Sequence, residues 1–262
     1  MSEPILSILD HFAPISLKEM DSVKLMTRSD EKYLCRIEQL PALLERAMPD
    51  FKVLENRGKR LLGYESQYLD TPDFEMYRQH HNGKLNRYKI RIREYQETHE
   101  FFIEIKFKDN HRNTTKKRIP IGADRNYFTP EVRNFLKEYS RYIPENIEPK
   151  LFSQFRRMTL VSNELMERIT IDLNPAWYTD EKRVDLSGIV VMEVKSAKTS
   201  NIRGFGLLLR DARILPNRLS KYCTGTILLN PGIKHNRFKA KMVHLKKLDK
   251  NIPYGEPVIF PI

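Results

Sequence analysis

The sequence predicts an α+β chain built on an antiparallel β-barrel, a tunnel with a charged lumen and a coat of helices. Three observations lead there. Strand-like segments dominate the chain, and most alternate between an apolar side and an ionic side. Helical segments are interspersed among them, and their apolar stripes need a surface to cover. The 262 residues also carry 46 Lys+Arg against 34 Asp+Glu, a formal net charge of +12. In a half-buried sheet the ionic sides would face bulk water. Here they are dense in Arg and Lys, with a sparse, repeated acid. If the helices take the apolar sides, the ionic sides converge on a lumen, and closure removes exposed edge strands.

The elements follow in order. Residues 3–12 read as a short amphipathic helix, and Ser16 with Glu19 as a capping box. Strand 23–35 places Arg28, Asp30 and Lys32 on one face. Residues 38–48 form a helix with Leu40, Leu43, Leu44 and Ala47 on one side. Segments 51–55 and 60–70 are strands. Thr71-Pro72-Asp73 and Thr129-Pro130-Glu131 each combine an N-cap, an N1 proline and an acid, and open helices 72–80 and 130–141. Strand 85–96 opposes Lys89, Arg91 and Arg93 to Ile90 and Ile92. Strand 99–109 contains E-F-F-I-E-I-K-F-K, with Glu104, Lys106 and Lys108 opposite Ile103, Ile105 and Phe107. Strand 114–121 pairs Lys116 with Arg118. Arg157 and Thr159 share a face of strand 151–161. Arg168-Ile169-Thr170-Ile171-Asp172 repeats the alternation in strand 165–173. Glu193 and Lys195 oppose Met192 and Val194 in strand 188–196. Segments 203–212 and 219–229 are helical.

No repeat, low-complexity tract or Pro/Gly/Ser-rich linker divides the chain. The expected organisation is an N-terminal helical segment over 1–23, a tunnel domain over 24–230, and a basic tail over 231–262 packed on it or extending from it. The tail stretch 234–250 reads as a solvated end or as a site for a membrane protein or an anionic membrane surface.

Composition narrows the function classes. At 40% hydrophobic and 31% charged residues, the chain is soluble and charge-rich. No run approaches the roughly 18 apolar residues of a membrane span. The N-terminus has no secretory pattern. Cys35 and Cys223 are far apart and lack metal-ligand spacing, so the expected setting is the reducing cytoplasm, with association to the inner face of a membrane left open. There is no Walker A run, Gly-rich dinucleotide loop, H-E-x-x-H, paired C-x-x-C or G-x-S-x-G. His80 and His81 lack a partner at ligand spacing and read as surface residues. Tyr64, Tyr68, Phe74, Tyr77 and Tyr88 read as core or coat aromatics.

A lumen holding Arg28, Lys32, Arg91, Arg93, Lys106, Lys116, Arg118, Arg157, Arg168 and Lys195 would repel itself if dry and empty. It calls for water and a ligand rich in negative oxygens, and phosphate suits Arg forks and Lys point charges. Asp30, Glu104 and Glu193 among phosphates call for a divalent cation between them, Mn²⁺ or Mg²⁺ by ligand type.

The pieces R-S-D-E-K-Y (28–33), Y-L-D-T-P-D-F-E-M-Y (68–77), K-I-R-I-R-E-Y (89–95), F-I-E-I-K (102–106), T-K-K-R-I (115–119), F-R-R-M-T (155–159), R-I-T-I-D (168–172), M-E-V-K-S (192–196) and S-K-Y-C-T-G (220–225) come in an order that resembles the triphosphate tunnel metalloenzymes. Within them the chain resembles the polyphosphate polymerase domain of the vacuolar transporter chaperone (VTC) family. The resemblance covers roughly 24–230. It implies that Lys32, Arg91, Arg93, Lys106, Lys116, Arg157 and Lys221 contact phosphates and that Glu193 helps to hold the metal. Arg28, Arg118, Arg168 and Lys195 fit the same lumen by parity. The first strand departs from the superfamily's usual Glu-x-Glu-x-Lys, offering only Asp30 inward, which implies a lighter metal site.

The activity implied is that of a metal-dependent polyphosphate polymerase. ATP or another nucleoside triphosphate gives its terminal phosphate to a growing inorganic polyphosphate chain, or to pyrophosphate, and the polymer leaves by the other tunnel mouth. Arg157, Lys106 and Arg91 are the expected catalytic groups. Two alternatives stand beside it: a tri- or polyphosphatase or nucleoside triphosphatase of the same fold, with Glu104 or Asp30 orienting water, and a non-catalytic binder of polyphosphate or nucleic acid. Strand parity argues against specific nucleic-acid binding, since it sets the basic residues opposite the apolar face rather than among exposed aromatics.

Overall fold

A computed structural model describes residues 3–22, 28–111, 113–162, 164–197, 204–217 and 219–254. Its helices are α1 (Glu3–Asp10), α2 (Leu17–Ser22), α3 (Leu40–Ala47), α4 (Glu75–His81), α5 (Pro130–Tyr139), α6 (Phe205–Asp211), α7 (Lys221–Leu229) and α8 (Lys239–Leu248). Its strands are β1 (Pro14–Ile15), β2 (Arg28–Arg36), β3 (Lys52–Leu54), β4 (Leu62–Asp70), β5 (Arg87–Tyr95), β6 (Glu100–Lys108), β7 (Thr114–Ile121), β8 (Glu148–Ser162), β9 (Glu167–Tyr178), β10 (Arg183–Asp185) and β11 (Ile189–Ala197). The architecture is α+β, as the alternation implies. The segment 23–27 of the expected first strand lies outside the described residues.

One sheet runs in the order β2-β11-β9-β8-β4-β5-β6-β7, and every pairing along this path is antiparallel. The sheet curls but does not close among the described residues, where no hydrogen-bond ladder joins β2 to β7. The edges are managed instead of abolished. On β2, Asn217 N donates to Lys32 O, and Pro216 bridges to Tyr33. On β7, Lys116, Lys117 and Arg118 are exposed and Pro120 removes a donor, which discourages pairing with another chain.

The convex side follows the apolar parity. Met158, Leu160, Ile169, Ile171, Val190, Met192 and Val194 pack with α1, α3 and α6 residues such as Ile5, Leu44 and Phe205. Ile90, Ile92, Ile103 and Ile105 pack with Val132, Phe135 and Leu136 of α5. Burying these side chains contributes about 1.5–3 kcal/mol each. Thr129 caps α5 through its side chain, which accepts from Val132 N, and Ser16 and Glu19 exchange their capping contacts.

The coat is not purely external. Helix α7, buried along its whole length, lies against the concave face. Tyr222 stacks on Tyr68 and donates to Asp70, while Gly225 faces Trp177 so closely that a Cβ there would lie 2.2 Å from the indole. The missing side chain lets helix and strand approach. Leu34, Leu151 and Val191 join the same cluster, so α7 fills one end of the concavity on the β2-to-β4 side. At the opposite end Ile15, Met20 and Leu54 cover Leu62, Tyr64, Phe155 and Val161. The charged belt lies between these two apolar fillings.

Four local expectations change. The helix expected from Pro72 begins at Glu75, because Asp70 and Thr71 together take the amide hydrogens of Glu75, Met76 and Tyr77. Phe74 enters it in a left-handed conformation, φ 60°. His81 is buried rather than superficial, and His80 lies 3.0 Å from Cys223 Sγ of α7, because both rings, at the end of α4, pack against Phe238. The basic stretch 234–250 forms α8, anchored through Met242 and Leu245. The strand expected to end near 173 continues as β9 to Tyr178, and β10 pairs with it.

Candidate active site

Two-residue periodicity puts one set of charged side chains from β2, β11, β9, β8, β5, β6 and β7 on the concave face, where β4 adds Tyr64, Ser66 and Tyr68. There they assemble around three carboxylates, each shared by two cations. Glu104 on β6 accepts from Arg91 at 2.7 Å through Nε and 2.6 Å through Nη2, and also from Lys116. Asp172 on β9 receives a forked contact from Arg157, 2.5 and 2.9 Å, and a third contact from Lys221. Glu193 on β11 lies 3.5 Å from Lys32 and 3.6 Å from Lys195. Lys89, Arg93 and Lys106 stand among these groups with no carboxylate at salt-bridge distance among the described residues. Lys89 donates to Ser220 Oγ and Arg93 to Ser66 Oγ.

The three acids are not equivalent. Glu104 and Asp172 are each 2% exposed. Burial raises both pKa values, but the neighbouring cations outweigh it: Glu104 falls to about 2, held by Arg91, Arg93 and Lys116, and Asp172 falls still further below its ordinary value through Arg157 and Lys221. Glu193, with a side chain 22% exposed, is also lowered to about 2, against burial, by Lys32, Lys195, Arg157 and Lys106. Its contacts are looser than those of the other two acids, and it opens to the concavity.

The unpaired cations respond in the opposite sense. Dehydration in the concavity, then the charges of Lys32 and Lys89, lower Lys106 to about 8, although its ammonium still reaches water. Lys89 falls to about 8, chiefly through burial. Burial and Arg91 lower Arg93 to about 10. Arg93 is 6% exposed and lies over the Tyr64 and Phe155 rings at 5.4 and 5.8 Å. A buried cation without an acid is costly unless an anion arrives to meet it.

Helix α7 completes the belt. Ser220 caps it, accepting from Cys223 N, and Lys221 reaches from its first turn over the Phe155 ring to Asp172. A lysine is disfavoured at a helix N-terminus, and Asp172 offsets that cost. The positive end of the helix therefore faces the same concavity as the arginines.

Of the residues expected from sequence, Lys32, Arg91, Arg93, Lys106, Lys116, Arg157, Lys195, Lys221, Glu104 and Glu193 converge. Arg118 stands at the exposed β7 edge and donates to Tyr95 Oη. Arg168 has the right parity but donates to Met20 O, where α2 covers that end of the bore. Asp30 is exposed on β2. Arg28 opens β2, but its side chain lies outside the described residues. Among the described residues no three His, Cys, Asp or Glu side chains group as a metal cage, which leaves Glu193 as the best-placed carboxylate for a cation completed by ligand oxygens and water. Sequence reasoning missed Lys89, Ser220 and Asp172. Lys89 shares parity with Arg91 and Arg93, and Asp172 with Arg168, so alternation carried the signal for both.

The VTC domain family model matches residues 27–230. No curated protein matches the chain. A protein of Vibrio parahaemolyticus described as a candidate adenylate cyclase is similar at 14% identity and TM-score 0.42, over 74% of this chain and 94% of that one. A Hippeastrum protein described as a candidate adenylyl cyclase with dominant triphosphatase activity is similar at 13% identity and TM-score 0.46, over 76% of this chain and 95% of that one. A conserved hypothetical protein of Pyrococcus furiosus is similar at 12% identity and TM-score 0.41, over 75% and 99% respectively.

Proposed function

The chain belongs to the VTC domain family, and on that premise we propose that it is a metal-dependent polyphosphate polymerase of the triphosphate tunnel type. It transfers the terminal phosphate of ATP to the end of an inorganic polyphosphate chain. The observation that carries this reading is the belt itself: carboxylate-organised arginines and lysines on one concave face, with Lys89, Arg93 and Lys106 left to meet an anion. Phosphoryl transfer asks mainly for positioning and charge stabilisation.

Glu104 and Asp172 fix the guanidinium planes of Arg91 and Arg157 before any ligand arrives. Such pre-aimed donors strengthen their contacts as charge develops on the transferring group. Lys106 adds a mobile point charge at the open side. Glu193 would hold Mn²⁺ or Mg²⁺, which would supply positive charge to offset that of the phosphates. Arg87 of β5 stands in register with Lys108 of β6, two residues beyond Lys106, and a lengthening product would follow this row.

A polyphosphate end is already an anion and needs no deprotonation to attack. Water needs a carboxylate to orient and deprotonate it, and Glu104 is taken up by Arg91 and Lys116 while Glu193 lies between Lys32 and Lys195. This supports transfer over hydrolysis. Exposed Lys239, Lys247 and Lys250 on and beyond α8 support docking of the protein at an anionic surface. Incubation with labelled ATP and Mn²⁺, with products sized on a gel, tests the function. Chains longer than the substrate are expected. Orthophosphate alone would make the protein a triphosphatase, and no turnover with retained polyphosphate binding would make it a binder.

A further inference from the structure

We infer that Phe102, Tyr95 and Arg118 form a shelf that stacks the nucleobase of the triphosphate substrate. The inference rests on the phosphoryl-transfer reading and adds to it a site for the non-phosphate part of the donor.

The placement comes from register. Arg91, Glu104 and Arg118 form one row across β5, β6 and β7, and Arg93, Phe102 and Pro120 form the next. Tyr95 lies one step further along β5. Two residues of strand span about 7 Å, so the shelf lies one row beyond Glu104, at the edge of the belt. That is about the reach of a ribose between the phosphates and a base.

The side chains then depart from what charge pairing alone would give. Arg118 stands directly opposite Glu104, yet Glu104 takes Arg91 and Lys116 instead. The Arg118 guanidinium lies 4.5 Å from the Phe102 ring centroid, and its Nη1 donates to Tyr95 Oη at 3.0 Å. Tyr95 meets Phe102 edge to face, with centroids 5.7 Å apart and an 88° interplanar angle. Phe102 remains partly open and belongs to none of the four apolar clusters, unlike its concave-face counterparts Tyr64, Tyr68 and Phe155. The result is a stepped π-and-guanidinium surface beside a site for phosphates, with the exposed Arg118 guanidinium lying over the Phe102 ring and the Tyr95 ring standing upright at its edge. Bases stack on such surfaces whatever their identity. The Tyr95 hydroxyl is already engaged, so the shelf holds a base without reading its edge, and purines gain most through their larger area.

The test compares ATP with inorganic tripolyphosphate by calorimetric titration in EDTA, for the native protein and for Phe102→Leu, which keeps an apolar side chain at the position. The variant should bind ATP about 5-fold or more weakly and tripolyphosphate unchanged. Equal weakening of both ligands, or of neither, would overturn the shelf. Native protein supplies an independent arm: ATP should bind more tightly than ribose 5-triphosphate, which lacks the base, and equal affinity for the two would overturn it as well. Failure of the native protein to bind any of the three would instead overturn the phosphoryl-transfer reading on which the shelf rests.

Discussion

Asp172 on β9 and Glu193 on β11 occupy the concave face of neighbouring strands, and each sits between two cations. They are held in different ways. Asp172 lies on the floor of the concavity, 2% exposed, gripped by Arg157 and Lys221 from β8 and α7. Glu193 lies nearer the open side between β2 and β7, with its lysines at 3.5 and 3.6 Å. Identical parity and charge therefore support two different jobs. Where packing seals the site, the carboxylate organises cations. Where solvent enters, the carboxylate is held more loosely.

The strongest way to break this comparison is at the floor. Asp172→Ala leaves Arg157 and Lys221 buried without their acid and should destabilise the fold by about 3–5 kcal/mol. Urea denaturation reads this directly, and a loss below 1 kcal/mol would mean that the floor is wetter than its geometry indicates. At the open side the converse holds. Lys106→Ala removes a cation with no acid partner among the described residues, so stability should hold while polymer synthesis falls about 10²–10³-fold, the usual cost of one pre-aimed charge-stabilising donor. Synthesis at the native rate would remove Lys106 from the site.

Gly225→Ala sharpens the role of α7. The new methyl meets the Trp177 indole, and relieving that overlap should cost about 1–3 kcal/mol. Because Lys221 moves with the helix, tripolyphosphate affinity should drop in parallel. A stable variant with unchanged affinity would show that α7 adjusts without disturbing the belt. Glu193→Gln should shift stability by less than about 1 kcal/mol, as a loosely held partly exposed pair predicts, yet abolish the response of turnover to added Mn²⁺. Manganese titration with a circular-dichroism melt separates the two effects.

The smallest effect is in pH. Lys89 and Lys106 have folded pKa values near 8, below the 10.5 of the free side chain. Between those values the unfolded chain binds more protons, so stability without ligand should rise with pH. Affinity for tripolyphosphate should fall over the rise through pH 8, because the lysines lose the charge that attracts it. Opposite trends in thermal shift and in titration are expected, and parallel trends would contradict the crowding of these two lysines. At the acid end buried Glu104, depressed to about 2, contributes stability that is fully present above its unfolded value near 4.3 and is lost as pH falls through 2.

Much of the belt was legible in alternation. Arg91 and Arg93, opposed to Ile90 and Ile92, could only be set apart on two faces of one strand, and the isoleucines went to α5. Arg118 and Arg168 obey the same parity yet leave the belt, because parity fixes a side but not a reach: one guanidinium turns to Tyr95 and Phe102, the other to the Met20 carbonyl. Helix α7 was legible as a helix but not as a filling of the bore. Its burial on every side depends on Gly225 meeting Trp177 from β9, a contact between residues 48 positions apart.

Local covalent geometry sends successive strand side chains to opposite sides, so the sequence alone determined that this chain would gather its cations on one face of an antiparallel sheet. Tertiary structure decided which of those cations would be paired, which carboxylate would be held loosely and where the curled sheet would stay open. Those outcomes depend on distances between strands and helices remote in sequence, and on how much water each contact excludes. Burial and charge separation set the strength of every pairing, and neither is encoded in the order of residues along a single strand.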